Sequence, residues 1–278
     1  MVITAKEVNE LRQQTGAGMM DCKKALVEAE GDFQKAIEIL RKKGQKISAS
    51  RQNREAKEGS IFIAISEDKK QGFAIELNCE TDFVGKNSDF LALGQSIIDL
   101  TKNHKITSLD ALLNAKLDTL TVKEKLEEAM GKIGEKIDIR RLEVLEGELV
   151  YGHLHTGGRI GVLVALSGVN GAKEVEAVAK DVAIQITAMN PIAVDKNSVD
   201  PSIIEKEIEI GKEQARQEGK PEHILEKIAM GKLEKFFKEN TLLAQEFVKD
   251  NTKTIQQLLK EHGSDLTVTS FKRLALGS

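Results

Sequence analysis

Residues Glu76-Leu77-Asn78-Cys79-Glu80-Thr81-Asp82-Phe83-Val84-Gly85-Lys86-Asn87 decide how this chain is read. Upstream of them, Phe73-Ala74-Ile75-Glu76-Leu77 is an apolar strand pattern. Downstream, Ser88 opens a helical pattern with apolar residues at Phe90, Leu91, Leu93, Ile97, Ile98 and Leu100. The stretch is therefore a corner between a strand and a helix. Phe83 and Val84 are large and apolar, yet they stand between Glu80-Thr81-Asp82 and Gly85-Lys86-Asn87. A phenylalanine so placed either folds back on its own core or points into solvent. By residue type alone the inward reading leads, because Phe is most often buried.

Around this corner the chain repeats itself. Residues 59–77 hold two apolar runs, Ile61 to Ile65 and Phe73 to Leu77, separated by the hairpin signal Ser66-Glu67-Asp68-Lys69-Lys70-Gln71-Gly72. A second pair, Leu149 to Leu154 and Ile160 to Leu166, flanks His155-Thr156-Gly157-Gly158. Helical sequence follows each hairpin, and each set closes on a similar strand, Ile137 to Leu145 and Val268 to Leu276. Two tandem copies of hairpin, helices and strand, 59–147 and 148–278, predict an α+β fold of antiparallel sheets flanked by helices. The second copy carries an insertion over 200–239. Asp200-Pro201 is a helix start, Gly219-Lys220-Pro221 a turn, and the apolar spacing on either side predicts a projecting antiparallel helical hairpin. Arms of roughly 18 residues reach about 27 Å at 1.5 Å per residue. Gly211 and Gly231 lie at comparable distances from the turn and mark the expected close crossing of the arms.

At the N-terminus, Thr4 and Glu7 form a capping box, and Val8, Leu11, Met19, Cys22, Leu26, Phe33, Ile37 and Leu40 follow helical spacing. Three short helices over 1–44, the third capped by Asp32, make a unit with a thin core. Met19 and Met20 follow the Thr15-Gly16-Ala17-Gly18 turn. Either both methionines fill the core or one stays available to a partner, since flexible Met side chains serve both ends. Residues 45–58 are polar with little periodicity, which predicts a linker or a loosely helical spacer. Lys46, Arg51, Arg54 and Lys57 make it locally basic, which opens a second reading as an RNA-binding or structural adaptor.

Composition narrows the function classes. A net charge of −3 at pH 7 gives no global reason to expect nucleic-acid binding, and zero Trp with one Tyr leave no stacking platform for bases. No stretch reaches the length of an apolar membrane span and no signal pattern opens the chain, so a cytoplasmic protein is expected. Cys22 and Cys79 are far apart and expected reduced. No catalytic constellation is visible. Gly231-Lys232 is followed by Leu233 and Gly16-Ala17-Gly18 lacks a third glycine, so neither phosphate-binding fingerprint is complete. His153 and His155 make a His-x-His pair without a third ligand at a suggestive spacing, so no metal or cofactor is expected. A protein that is not an enzyme and acts by binding fits these absences.

The string Glu76 to Val84 resembles the second signature of the bacterial elongation factor Ts family, and Leu11-Arg12-Gln13-Gln14-Thr15-Gly16-Ala17-Gly18-Met19-Met20-Asp21-Cys22-Lys23-Lys24-Ala25-Leu26 resembles its first. The likeness continues through Ile137 to Arg141 and Gly158 to Val164, and covers nearly the whole chain. This resemblance implies a nucleotide-exchange factor for elongation factor Tu, which binds the GDP-bound and nucleotide-free GTPase. It implies an N-terminal ubiquitin-associated-type domain whose Arg12, Met19 and Met20 rest on the partner's G domain. It also implies that Thr81, Asp82, Phe83 and Val84 form a wedge disturbing the magnesium and phosphate site, supported by Ile133 and Gly134. His155 matches a histidine lying against the partner's third domain, with a turn one residue longer here. Family members that continue past the last strand touch the G domain again; no contact is carried over from there. Self-association through the helical hairpin is a further expectation.

Overall fold

Thr4 and Glu7 form the capping box their spacing predicts. The Glu7 N–H donates to Thr4 Oγ1 at 3.3 Å and the Thr4 N–H donates to Glu7 Oε2 at 2.7 Å. The box opens α1 (Ala5–Thr15), followed by α2 (Met19–Glu28) and α3 (Phe33–Arg51). Asp32 caps α3 by accepting the Lys35 N–H at 3.1 Å. Val8, Leu11, Cys22, Ala25, Leu26 and Ala36 close a small core between the three helices. This is a computed structural model of the chain, and it describes residues 3–51, 53–155 and 157–278, without the side chains of Ser48 and Ala49. Thr156, part of the second hairpin's turn, lies outside the described residues.

The two copies have the same plan. The first runs β1 (Glu58–Ile65), β2 (Gln71–Cys79), α4 (Asp82–Gly85), α5 (Ser88–Asn103), α6 (Leu109–Asn114), a ribbon of β3 (Lys116–Leu117) and β4 (Leu120–Thr121), α7 (Val122–Ile133) and β5 (Ile137–Glu146). The second runs β6 (Leu149–Leu154), β7 (Ile160–Ser167), α8 (Val175–Met189), α9 (Pro201–Gln217), α10 (Glu222–Asn240), a ribbon of β8 (Glu246–Phe247) and β9 (Asp250–Thr254), α11 (Ile255–His262) and β10 (Thr267–Ala275). Each copy folds its hairpin and closing strand into an antiparallel sheet, β1-β2-β5 and β6-β7-β10, with the hairpin's second strand in the middle. Each ribbon ends in a threonine that caps the next helix. Thr121 boxes with Glu124 at the start of α7, and Thr254 with Gln257 at the start of α11.

Burial follows the pleat. Phe62, Phe73, Ile75 and Leu77 face α5 and α7 in one core, while Val162, Val164, Leu166 and Val268 face α8 and α11 in the other. The opposite faces meet, and Ile61, Ala74, Leu145, Val150, Leu163, Ala165 and Leu274 make a shared layer between the sheets. That two-sided burial explains why β2 and β7 read as nearly continuous apolar runs rather than as alternating ones.

Two sequence expectations need correction. The third helix does not end near Gly44 but continues to Arg51, so the first half of the 45–58 segment is helix. Gly44 is a crossing point and not a stop: a Cβ there would lie 3.0 Å from the Glu127 carbonyl oxygen, and one on Gly131 would lie 3.0 Å from Gly44 Cα. Glycine on both helices lets α3 and α7 approach backbone to backbone, at a cost in helix propensity of roughly 1 kcal/mol relative to Ala. In the helical hairpin, Asp200 caps α9 through the Ser202 N–H at 2.8 Å, with Pro201 first in the helix. Gly211 marks the close approach of the arms, packing on Ala229 at 3.1 Å from a built Cβ. Gly231 faces open space and is not part of that crossing.

A candidate partner-binding corner

β2 ends with Cys79 opposite Glu58 of β1 and opposite Ile137 of β5, so the chain leaves the sheet between the ends of both neighbours. The buried Cys79 thiol donates to the Thr81 carbonyl at 3.1 Å. Burial, reinforced by the Glu135 and Glu58 charges, pushes this thiol up to about 12, so it stays a neutral S–H. Thr81 then caps the single turn of α4, its Oγ1 accepting the Val84 N–H at 3.4 Å. Val84 packs on the core of the first copy. Gly85 sits on Gly59, whose carbonyl oxygen a Cβ would meet at 3.1 Å. With Val84 and Gly85 turned inward, Phe83 is left 83% exposed. The inward reading of Phe83 is therefore overturned, because one helical turn cannot bury both members of the Phe83-Val84 pair. Asp82 beside it is exposed, and its hydrogen bond and ion pair with Lys86, at 2.7 Å, hold its carboxyl below the usual range.

Two carboxylates brace the corner, Glu135 from outside it and Glu80 from within. Glu135 Oε2 accepts the N–H groups of Glu80 and Thr81 at 3.1 and 3.0 Å, and its Oε1 accepts the Thr81 hydroxyl at 2.7 Å. In return Glu80 accepts the Lys136 N–H at 2.7 Å and pairs with Arg51 and Arg54, each at 3.1 Å. Burial on its own would raise the Glu80 carboxyl; the Lys136, Arg54 and Arg51 donors outweigh it, and the group is held below its usual value. Arg51 and Arg54 are thus engaged by the corner, which removes two cations from the basic segment that suggested RNA binding.

The remaining sequence-predicted residues connect to this corner to different degrees. Met19 and Met20, 55% and 62% exposed, begin α2 and neither belongs to the core; Cys22, Ala25 and Leu26 fill it instead. Arg12 is exposed in the last turn of α1. The turn before Met19 leans on α7, since a Cβ on Gly16 would meet Lys132 Cε at 2.6 Å, and Lys132 Nζ bonds to Asp89 at 2.8 Å in the first turn of α5. Ile133 packs partly on the first core, and Gly134 closes α7 with φ 84°. These two residues therefore stand between Lys132, which touches the N-terminal unit, and Glu135, which holds the corner. His155 is exposed, and its N–H donates to the Ile160 carbonyl at 2.9 Å to close the second hairpin. That hairpin meets the corner through Arg159, which pairs with Glu58 at 2.5 Å and lies within electrostatic reach of Asp82. The His153 and His155 rings are 6.3 Å apart, and among the described residues no group of three or more His, Cys, Asp or Glu is placed to hold a metal ion.

Lys132, Glu135 and Arg159 escape a reading by sequence. Glu135 had one faint signal, an acid directly after the helix-ending Gly134. Only the strand register, Cys79 opposite Ile137, puts it across from Thr81. None of the described helices is long and apolar enough to cross a membrane.

Known proteins resemble this chain over nearly its whole length. The family model described as elongation factor TS matches residues 80–278, beginning at Glu80 of the corner. The elongation factor Ts of Amoebophilus asiaticus is 50% identical over 278 residues, covering 100% of both chains. That of Cytophaga hutchinsonii is 51% identical over 275 residues, 99% of each chain. That of Clostridium perfringens is 46% identical over 283 aligned residues, 99% of this chain and 93% of the relative. Similarity at this level extends from the N-terminal unit through both copies, and the chain belongs to the elongation factor Ts family of translation elongation factors.

Proposed function

We propose that this protein is the guanine-nucleotide exchange factor of elongation factor Tu, acting in the cytoplasm on the GDP-bound GTPase and passing through its nucleotide-free complex. One observation carries the reading: Phe83, an aromatic side chain 83% exposed, stands on a corner whose entry backbone is held by Glu135 and whose turn is capped by Thr81. An exposed aromatic on a rigid support is an interface anchor, worth about 2 kcal/mol or more when it fills a pocket on a partner.

The mechanism needs binding and no bond chemistry. A factor that binds the empty GTPase more tightly than the loaded one must weaken nucleotide by the same factor as nucleotide weakens it. A nanomolar nucleotide is held by about 12 kcal/mol, and every 1.4 kcal/mol of coupling shifts that affinity tenfold. Thr81, Asp82, Phe83 and Val84 form the wedge, with Phe83 entering the partner's G domain beside its magnesium and phosphate site. Ile133 and Gly134 support it. Arg12, Met19 and Met20 dock the N-terminal unit, 1–44, on the same G domain, and His155 contacts the third domain. Residues 45–58, the end of α3 and the residues that follow it, connect that unit to the copies 59–147 and 148–278. Met19 and Met20 suit docking because flexible thioether side chains adapt to a partner surface.

The experiment is release of labelled GDP from elongation factor Tu with the factor at substoichiometric concentration. Multiple turnovers of release are expected; a rate unchanged from spontaneous release would refute the assignment.

A further inference from the structure

Resting on the wedge reading, we infer that Glu135 is a positioning residue for nucleotide exchange, acting through Phe83 by locking the strand-to-helix corner. α4 has four residues, far too few to be stable by itself, so its position is set from outside. Val84 and Gly85 fix its inner side. Its entry is held by the three hydrogen bonds to Glu135, which together engage the backbone of Glu80 and both the backbone and side chain of Thr81. The Thr81 hydroxyl donates to Glu135 and accepts from Val84, so one carboxylate carries alignment into the turn that bears Phe83.

The brace is reciprocal. Glu80 accepts the N–H of Lys136, the residue after Glu135, while Glu135 accepts the N–H of Glu80. Each segment's carboxylate thus fills the other segment's backbone donors. Charge-assisted bonds of this kind are directional, so they fix an angle as well as a distance. A wedge must arrive in its pocket aligned, and a misplacement near 1 Å can cost on the order of 100-fold in a positioned reaction.

The test separates positioning from plain stability. GDP release from elongation factor Tu is measured with the full chain and with Glu135→Ala, Glu135→Gln, Phe83→Ala and the Phe83→Ala/Glu135→Ala double variant, and thermal unfolding is recorded on the same preparations. Glu135→Ala is expected to slow release about tenfold. Glu135→Gln is expected to lose only about two- to threefold, because its amide oxygen still accepts backbone N–H groups. In the Phe83→Ala background, Glu135→Ala is not expected to slow release further, since the side chain it positions is gone. If Glu135→Ala does not fold, Glu135→Gln alone and combined with Phe83→Ala carries the same comparison. Wild-type release by Glu135→Ala, or an equal fold loss in both backgrounds, overturns the inference while the wedge stands. Wild-type release by Phe83→Ala overturns the wedge and this inference together.

Discussion

Phe83 shows how one residue's role depends on its two neighbours. Phe83 and Val84 have similar claims to burial, and the core takes Val84 because Thr81 caps the turn and Gly85 must lie flat on Gly59. Phe83→Ala should therefore leave the unfolding free energy within about 0.5 kcal/mol of wild type, as for other surface changes. A buried phenylalanine would cost about 3–5 kcal/mol instead. GDP release should slow at least several-fold in the same preparation through loss of an interface anchor. Thermal unfolding and release measured together check both halves, and a strongly destabilised variant would contradict the exposure seen here. Asp82→Ala should act in the same direction and more weakly, since it removes a polar neighbour and leaves the aromatic in place.

At the scale of elements, the helical hairpin is anchored among the described residues only at its base. Leu233 and Phe237 of α10 pack with Ala193 and Val199, joined by Ile203, Ile204 and Ile208 of α9, while farther out the arms touch mainly each other through Gly211, Ala215, Leu225 and Ala229. Replacing residues 210–230 by a short Gly-Ser connection should therefore leave a folded protein with a single cooperative transition. Non-cooperative unfolding would show that the outer arms belong to the core. We propose that these arms mediate self-association, in which case sedimentation of the trimmed protein should give a smaller species than the intact chain at the same concentration. Identical sedimentation behaviour, corrected for mass, would remove that role. The N-terminal unit differs, since α3 crosses α7 at Gly44, pairs Arg41 with Glu124 at 3.1 Å and ends with Arg51 held by Glu80, so it is tied to the first copy at several points.

For the whole molecule, the two copies are joined by the shared apolar layer and by polar contacts such as Arg159–Glu58 and Lys272–Glu143, and one further contact reaches from a buried acid of the first copy to the second. Glu76, in the middle of β2 with no exposed surface, pairs with Arg141 at 2.6 Å, and Arg141 also donates to the Ala275 carbonyl and to Ser278, each at 3.0 Å. One guanidinium thus neutralises an acid in the first copy and holds the closing strand of the second. Arg141→Met would strand the buried Glu76 carboxylate, and a loss of about 3–5 kcal/mol is expected, read from the urea midpoint. Pairing it with Glu76→Leu should recover most of that loss, because the uncompensated charge is removed. A double variant as weak as the single one would mean that the contact to Ala275, and not the buried charge, dominates.

The local code of this chain was legible without coordinates. Capping residues Thr4, Asp32 and Asp200 start helices where their spacing says, because a cap depends on neighbours within three residues. The repeated hairpin-helix-strand plan and the α+β class followed from periodicity, which depends on which side of each element is buried. The resemblance singled out the corner's motif residues as expected partner contacts. What lay beyond reach depended on contacts between segments far apart in the chain. Gly44 looked like a helix end and is a helix crossing, because its reason for being glycine is the backbone of α7 more than 80 residues on. Gly231 looked equivalent to Gly211 and is not, because only the docking of the arms decides which glycine meets a partner. Glu135 gave only a faint signal in sequence, since its contacts are set by the register of β5 against β2. Sequence determined the elements and their order because those forces act over a few residues; tertiary structure decided which side chains brace the corner and which one it presents, because those forces act across the fold.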